Sequence, residues 1–286
     1  MRAVQFSQFD DPSVLELVEL SDPHPGPGEI RIRVAAAGMN ASDWKKRQGL
    51  MDPDLPQTAG YEASGTVDEI GPGVTETAVG DHVFGACPYG AAQAGYAVLE
   101  YWAALPDGLT DIDAAALPAA AETAARALDQ LGVSQGDTVL INGASGNVGS
   151  AAVQLAVARG ITVVGTASAG SQTLVTSLGA TAITYGEGMP DRARAAAPDG
   201  IGFGLDAAGN GILPELVSLT GDATHVITVA DFRGAHETGV RFSRGDTGRA
   251  TYILNEVAQR AAAGSFRVNV GAVFPLSDIA NAHRTG

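Results

Sequence analysis

This sequence has almost nothing with which to cross-link itself. Its 286 residues include one cysteine, Cys87, which excludes an internal disulfide and any thiolate zinc cluster. A lone thiol of this kind is expected to be a small buried apolar residue. Cations are scarce too, with 17 Lys plus Arg against 32 Asp plus Glu and a formal net charge of −15. So acidic a chain repels phosphate backbones and anionic lipid, which argues against nucleic acid or a membrane surface as partner. No apolar run reaches the ~18 residues that span a bilayer. The opening Met1-Arg-Ala-Val-Gln-Phe-Ser-Gln-Phe-Asp10 lacks the apolar centre of a signal peptide, so a reducing cytoplasm is the expected setting. Aromatic residues make up only 6%, leaving Ala, Val, Leu and Ile to build the core.

Glycine, in contrast, is plentiful at 37 positions, many of them at turns between short apolar runs. The length suits two domains of roughly 100–200 residues each. The first third reads as β structure. Residues 14–20 alternate, and Glu29-Ile-Arg-Ile-Arg-Val34 alternates with charges at period two. Ala63-Ser-Gly-Thr-Val67, Gly71-Pro-Gly73 and Gly80-Asp-His-Val83 continue the pattern, which predicts a small β-barrel. His24 falls in a proline loop and His82 in an expected turn; neither acquires a role.

Near Asp111 the texture changes. Residues 114–131 are rich in alanine, with Pro118 marking a helix start. Thr138-Val-Leu-Ile-Asn142 is a buried parallel strand by its unbroken apolar character. A helix is expected over 148–159, and strands over 161–166, 203–206 and 225–229. This is the βαβ alternation of a doubly wound sheet. A long helix over 252–263 then leaves the sheet.

Between the first of these strands and its helix lies Gly143-Ala-Ser-Gly-Asn-Val-Gly149. Strand, glycine turn and helix in that order form a dinucleotide fingerprint. Glycine lets backbone N–H groups approach an anion, the helix N-terminus offers its positive dipole end, and Gly149 lets helix pack closely on strand. Gly143, Ser145, Gly146, Asn147, Val148 and Gly149 are the residues expected around a pyrophosphate. A site for NAD usually carries Asp or Glu about 20 residues further on, to hold the ribose 2′-OH. Here no acid occurs from residue 138 to residue 186. A carboxylate would repel a 2′-phosphate, so its absence favours NADPH. Ser168 and Ser171 can donate hydroxyl hydrogen bonds there. The stretch has one cation, Arg159, at the far end of the helix, so the charge would come from a more distant Arg.

Several motifs in order resemble the zinc-independent quinone oxidoreductase branch of the medium-chain dehydrogenase/reductase superfamily. They are Ala37-Gly-Met-Asn-Ala-Ser-Asp-Trp-Lys45, Ala59-Gly-Tyr-Glu-Ala-Ser-Gly-Thr-Val67, Gly71-Pro-Gly-Val74, Gly80-Asp-His-Val83, the glycine turn, and Gly165-Thr-Ala-Ser168. The resemblance implies an α/β protein with a GroES-like β-barrel catalytic domain (1–116, completed by 257–286) and a Rossmann domain (117–256). It also implies an active site in the cleft between them and pairing into a homodimer. Zinc relatives carry Cys where this chain has Asn40 and His where it has Tyr61, and neither replacement is a zinc ligand. Without a Lewis acid to stabilise an alkoxide, hydride addition to a quinone or to the C=C of an α,β-unsaturated carbonyl is the better-suited reaction.

Carried over residue by residue, the resemblance places Asn40 beside nicotinamide and substrate, Tyr61 in the pocket lining and Thr123 at the nicotinamide end. It places Tyr185 near the adenosine 2′-phosphate, with Val229 and Ala230 as backbone facing the carboxamide. Lys45 is either a proton donor or a solvated lysine. Two departures stand out. A Tyr/Phe-Ala-Glu run of relatives is replaced here by Ala92-Gln-Ala-Gly-Tyr96, and the further strand expected after His283-Arg-Thr-Gly286 is not in the sequence. An enoyl reductase acting on an acyl or polyketide intermediate stays open as an alternative. So does a cofactor-binding structural or redox-sensing protein without turnover.

Overall fold

The structure is a computed structural model, and it describes residues 1–87, 89–245 and 248–285. The chain divides into two compact units, Met1–Ala119 with Leu254–Gly286, and Ala120–Ile253.

The first unit opens with β1 (Arg2–Phe6), β2 (Glu16–Glu19) and β3 (Ile30–Ala37), then α1 (Ala41–Arg47). It continues through β4 (Gln57–Thr58), β5 (Glu62–Ile70), β6 (His82–Ala86), β7 (Tyr96–Leu99), β8 (Tyr101–Ala104) and α2 (Asp111–Ala115). The expected barrel takes the form of two antiparallel sheets, ordered β2-β1-β4 and β7-β3-β5-β6-β8. Alternation along β3 sets the layering. Ile30 and Ile32 are fully buried among Val67, Val83 and Leu99, each such side chain contributing on the order of 1.5–3 kcal/mol. Arg31 points the other way, pairing with Asp68 at 2.9 Å and Glu69 at 2.7 Å and lying over the Tyr96 ring.

Two expectations need correction here. The strand predicted over 14–20 covers only Glu16–Glu19, because Pro12 opens a 3-10 turn whose Ser13 N–H is capped by Asp11 Oδ1 at 2.7 Å. His82 begins β6 rather than sitting in a turn, with Nε2 3.1 Å from Thr66 Oγ1.

The second unit begins within α3 (Pro118–Leu131), which starts at Pro118 as proline's fixed φ and missing N–H favour. Strands and helices then alternate: β9 (Thr138–Asn142), α4 (Asn147–Ala158), β10 (Thr162–Ala167), α5 (Gln172–Ser177), β11 (Thr181–Thr184), α6 (Met189–Ala196), β12 (Phe203–Asp206), α7 (Leu213–Thr220), β13 (Val226–Thr228), α8 (Phe232–Thr238) and β14 (Arg241–Phe242). The sheet is parallel throughout and ordered β11-β10-β9-β12-β13-β14. That is the Rossmann order, in which ligands bind beyond the carboxyl ends of the strands where the winding reverses. Val139, Leu140 and Ile141 of β9 are fully buried, since helices cover both faces of the sheet.

α9 (Ile253–Ala262) and α10 (Ile279–Thr285) close the chain. Gly286, beyond which a further strand was expected, lies outside the described residues. Among the described residues no helix is long and apolar enough to cross a membrane.

Candidate active site and cofactor turn

In the first unit the site is built around the start of α1. Asn40 precedes the helix in an extended conformation, and its N–H donates to Asp43 Oδ2 at 2.8 Å. Asp43 N–H returns a bond to the Asn40 carbonyl at 3.0 Å. The other Asp43 oxygen accepts from Gly60 N–H at 2.9 Å. A buried carboxylate thus staples the first turn of α1 to the residue before Tyr61. Burial pushes the Asp43 carboxyl up to about 6, against the pull of those same N–H donors.

Glu62, at the first position of β5, is 1% exposed. Its Oε1 accepts from the Asn40 amide Nδ2 and its Oε2 from Ala119 N–H, at 2.7 Å, in the first turn of α3. The helix terminus and the amide both favour the carboxylate, but burial dominates and pushes the carboxyl up to about 7. Lys46 donates from Nζ to the Thr58 carbonyl at 2.9 Å and lies 5.2 Å from the Tyr61 ring centre. Burial holds its ammonium below the ordinary lysine value, opposed by Asp43 and Asp52. Tyr61 is pushed up to about 12, by burial first and by Asp43 second.

The structure therefore brings Asn40 and Tyr61 into one cluster with Asp43, Lys46 and Glu62. Lys45, the lysine singled out by the sequence, is not joined to it. Its described contact is the Trp44 ring, 5.6 Å away. Asn40 holds one amide hydrogen on Glu62 and keeps its second N–H and its carbonyl oxygen for other partners. This arrangement can orient an amide firmly and hold a proton near neutral pH beside it. Asp43, Lys46 and Glu62 were missed by sequence reasoning. Two signals were available: an acid three residues after Asn40 in capping-box spacing, and an acid inside an apolar strand.

In the second unit, Gly143 turns the chain with φ at +79°. Gly146 forms the last residue before α4 and donates to the Gly143 carbonyl at 3.0 Å. No side chain caps α4, and the N–H groups of Asn147, Val148 and Gly149 have no acceptor among the described hydrogen bonds. Gly146 and Asn147 are exposed, so these donors open on solvent, while Ser145 and Val148 are half-buried beside them. A Cβ at Gly149 would lie 2.0 Å from the Gly143 carbonyl oxygen, whereas one at Gly146 would meet nothing closer than 3.5 Å. Gly149 is glycine for packing; Gly146 leaves a cradle that a side chain would fill. A dinucleotide pyrophosphate fits this donor set.

Ser168 follows β10 and Tyr185 follows β11, one step past the paired residues Ala167 and Thr184, so the two stand at adjacent strand ends. Ser168 Oγ and Ser171 Oγ lie 3.0 Å apart. Tyr185 is exposed rather than a core aromatic. Beneath it the Arg192 guanidinium donates to the carbonyls of Thr184 (3.0 Å), Glu187 (2.9 Å), Gly186 (3.2 Å) and Tyr185 (3.3 Å). Arg159, by contrast, pairs with Asp129 at 2.8 Å. Thr123 lies inside α3 and its Oγ1 is 3.4 Å from Arg126 Nη2. The N–H groups of Val229 and Ala230 are used internally, by the Asp206 carbonyl at 3.0 Å and Thr228 Oγ1 at 3.1 Å. This turn therefore offers a ligand its carbonyls.

Known proteins agree with this architecture. Residues 26–111 match the alcohol dehydrogenase GroES-like domain. The quinone oxidoreductase of Pseudomonas aeruginosa is 36% identical over 171 residues, 58% of this chain and 53% of that protein. The 2-methylene-furan-3-one reductase of Solanum lycopersicum is 34% identical over 213 residues, 67% of this chain and 55% of that protein. The chain thus spans about half the length of these curated relatives. The solved quinone oxidoreductase of Coxiella burnetii superposes with a TM-score of 0.87 at 28% identity, covering 100% of this chain and 95% of that one. The fold is that of a GroES-like unit and a Rossmann unit in one chain, as in the oxidoreductases to which it is similar. The chain carries an alcohol dehydrogenase GroES-like domain, and over its whole length its fold is similar to that of quinone oxidoreductases of the medium-chain dehydrogenase/reductase type.

Proposed function

We propose that the protein reduces a quinone, or the C=C of an α,β-unsaturated carbonyl, at the expense of NADPH and without zinc. The observation that carries the cofactor half is the open row of α4 N–H groups over a turn whose Gly146 leaves room for a phosphate. NADPH, when bound, supplies the hydride. Ser145, Asn147 and Val148 flank the pyrophosphate, Gly143 and Gly149 shape its turn, and Thr123, Val229 and Ala230 serve the nicotinamide end. The preference for a 2′-phosphate rests on three features: no acid follows β10, Ser168 and Ser171 offer hydroxyls, and Arg192 places a cation under Tyr185.

On the substrate side Asn40 donates its remaining amide hydrogen to a carbonyl oxygen, where negative charge develops as the β-carbon is reduced. Glu62 holds that amide in place, and Tyr61 lines the pocket. Lys45 stands on the same helix as a proton source for the product. Asn40 and Tyr61 replace the Cys and His that would bind zinc, so the carbonyl is polarised by hydrogen bonds.

Loss of reduced-nicotinamide absorbance with NADPH and with NADH, over a panel of quinones, enones and enoyl thioesters, tests this reading. Turnover of a quinone or enone with NADPH at least tenfold better than with NADH is expected, unaffected by EDTA. Binding of NADPH with no turnover of any compound would replace it with a cofactor-sensing role. Asn40→Ala is expected to lower kcat by at least tenfold, and an unchanged kcat would remove the amide from the chemistry.

A further inference from the structure

The last row of the parallel sheet is polar where the rows before it are apolar. Asn142 ends β9, Asp206 ends β12 and Thr228 ends β13, with Asp206 in register with both neighbours. Thr166 lies on β10, one residue past Gly165, the partner of Ile141. All four are buried, three of them completely. Placing a carboxylate there is costly unless every polar atom is satisfied, and a wholly apolar row would be simpler to build.

Every polar atom is satisfied, and the bonds form one chain. Gly143 N–H donates to Thr166 Oγ1 at 3.0 Å, and that hydroxyl donates to Asn142 Oδ1 at 2.7 Å. Asn142 Nδ2 donates to Asp206 Oδ1 at 2.9 Å, and Thr228 Oγ1 donates to Asp206 Oδ2 at 2.7 Å. Thr228 Oγ1 in turn accepts from the N–H groups of Ala230 (3.1 Å) and Asp231 (3.0 Å). Asp206 Oδ1 also accepts from Ala208 N–H at 3.1 Å and Gly209 N–H at 2.8 Å. The chain begins on the backbone of one turn, ends on the backbone of another, and fixes a third on the way. Fully satisfied networks in a low-dielectric interior hold their members in one geometry.

We infer that Asp206 is a positioning residue that locks the phosphate-side turn beginning at Gly143 to the nicotinamide-side turn at 229–231. This rests on the NADPH reading above, which assigns those two turns to the two ends of the cofactor. Asp206 does not touch the ligand; it acts through Asn142 and Thr166 on one side and Thr228 on the other. Its two oxygens serve the two directions separately, so the two arms can be cut independently.

The experiment measures Kd for NADPH and for 2′-phospho-ADP-ribose, which is the cofactor without its nicotinamide, together with kcat and Tm. Thr228→Val keeps the side-chain shape and removes both the bond to Asp206 and the acceptor for Ala230 and Asp231. It is expected to weaken NADPH at least tenfold and lower kcat while leaving the fragment within twofold. Thr228→Ser, which keeps the hydroxyl, is expected to restore both NADPH affinity and kcat. Thr166→Val cuts the other arm and should weaken NADPH and fragment equally. If Thr228→Val fails to fold, Asp206→Asn makes the same test, because it keeps an acceptor for Asn142 and sets an amide N–H against the Thr228 hydroxyl. Equal weakening of both ligands by the Thr228 or Asp206 variant, or no weakening, would overturn the inference. Wild-type protein that binds neither ligand would instead remove the NADPH reading and, with it, this inference.

Discussion

Glu62 offers the sharpest quantitative prediction, because its burial and its two bonds act in opposite directions. In the folded protein the carboxyl sits at about 7, against 4.5 for an unburied glutamate. The sign follows from linkage: a carboxyl raised by folding leaves stability intact below about 4.5, and that stability is lost as pH rises through about 7. At 1.36 kcal/mol per pKa unit, the loss approaches about 3 kcal/mol, of which about 2–3 kcal/mol falls between pH 5 and pH 8. Glu62→Gln cannot ionise and escapes this loss. Its amide NH2 instead faces one of the two donors, Asn40 Nδ2 or Ala119 N–H, at a pH-independent cost of about 1–3 kcal/mol. Wild type should therefore be the more stable protein at pH 5, and the two unfolding curves should converge or cross by pH 8. Urea unfolding of both proteins at half-unit intervals of pH measures the difference. Asp43, raised to about 6, bends both curves in the same sense and largely cancels on subtraction. A gap that stays constant within ~0.5 kcal/mol from pH 5 to pH 8 would refute the account of Glu62 as a carboxyl dominated by burial.

The two glycines of the cofactor turn should separate folding from binding. Gly149→Ala drives a Cβ to 2.0 Å from a backbone oxygen and is expected to cost about 3 kcal/mol or more, read as a lower Tm. Gly146→Ala meets nothing closer than 3.5 Å, so its Tm should match wild type while NADPH affinity falls at least ~tenfold, or ~1.4 kcal/mol. Ser168→Asp restores a carboxylate after β10 and should reduce the NADPH-over-NADH preference in kcat/KM by at least ~tenfold; an unchanged ratio would show that the 2′-phosphate is not read there. Cys87 is 2% exposed and burial pushes its thiol well above the usual range, so a maleimide reagent should label it only once denaturant is added.

Four of the six strands of the second unit, and the helix after the glycine turn, were legible in the sequence. Strands such as Thr138–Asn142 and Phe203–Asp206 are short apolar runs closed by glycine-rich turns, and parallel strands covered on both faces carry that pattern strongly. The start of α3 was legible because proline imposes its own boundary. Where the reading slipped, local stereochemistry competed with hydrophobic periodicity. Over 14–20 the alternation is real, yet Val14 and Leu15 are both buried, which no strand facing one core permits. Pro12 and the Asp11 cap turn the chain there first, and the strand begins only at Glu16.

The site was legible at its rim and hidden behind it. Glycines and the absence of acids announce the cofactor turn because they work through the backbone, next to their neighbours in sequence. The groups that hold these parts in place work across long separations: Glu62 reaches Asn40 and Ala119, and Asp206 reaches Asn142 and Thr228. Nothing in spacing pairs residue 62 with residue 119. The same holds for the lysines. Lys45 and Lys46 are neighbours in sequence, and only packing of α1 decides which ammonium is buried against Tyr61. What could have been read was the mismatch itself. An acid opening a strand whose next residues are Ala, Ser and Gly, and an acid closing the strand Phe-Gly-Leu-Asp, are charges at positions the pattern assigns to the interior. A charge in such a place is held by partners from elsewhere in the chain. In this protein the Glu62 carboxylate stands one hydrogen bond from Asn40 in one unit, and the Asp206 carboxylate two, through Thr228, from the turn at 229–231 in the other. The polar residues that interrupt the buried strands therefore mark the supports of the site, much as the glycines mark its surface.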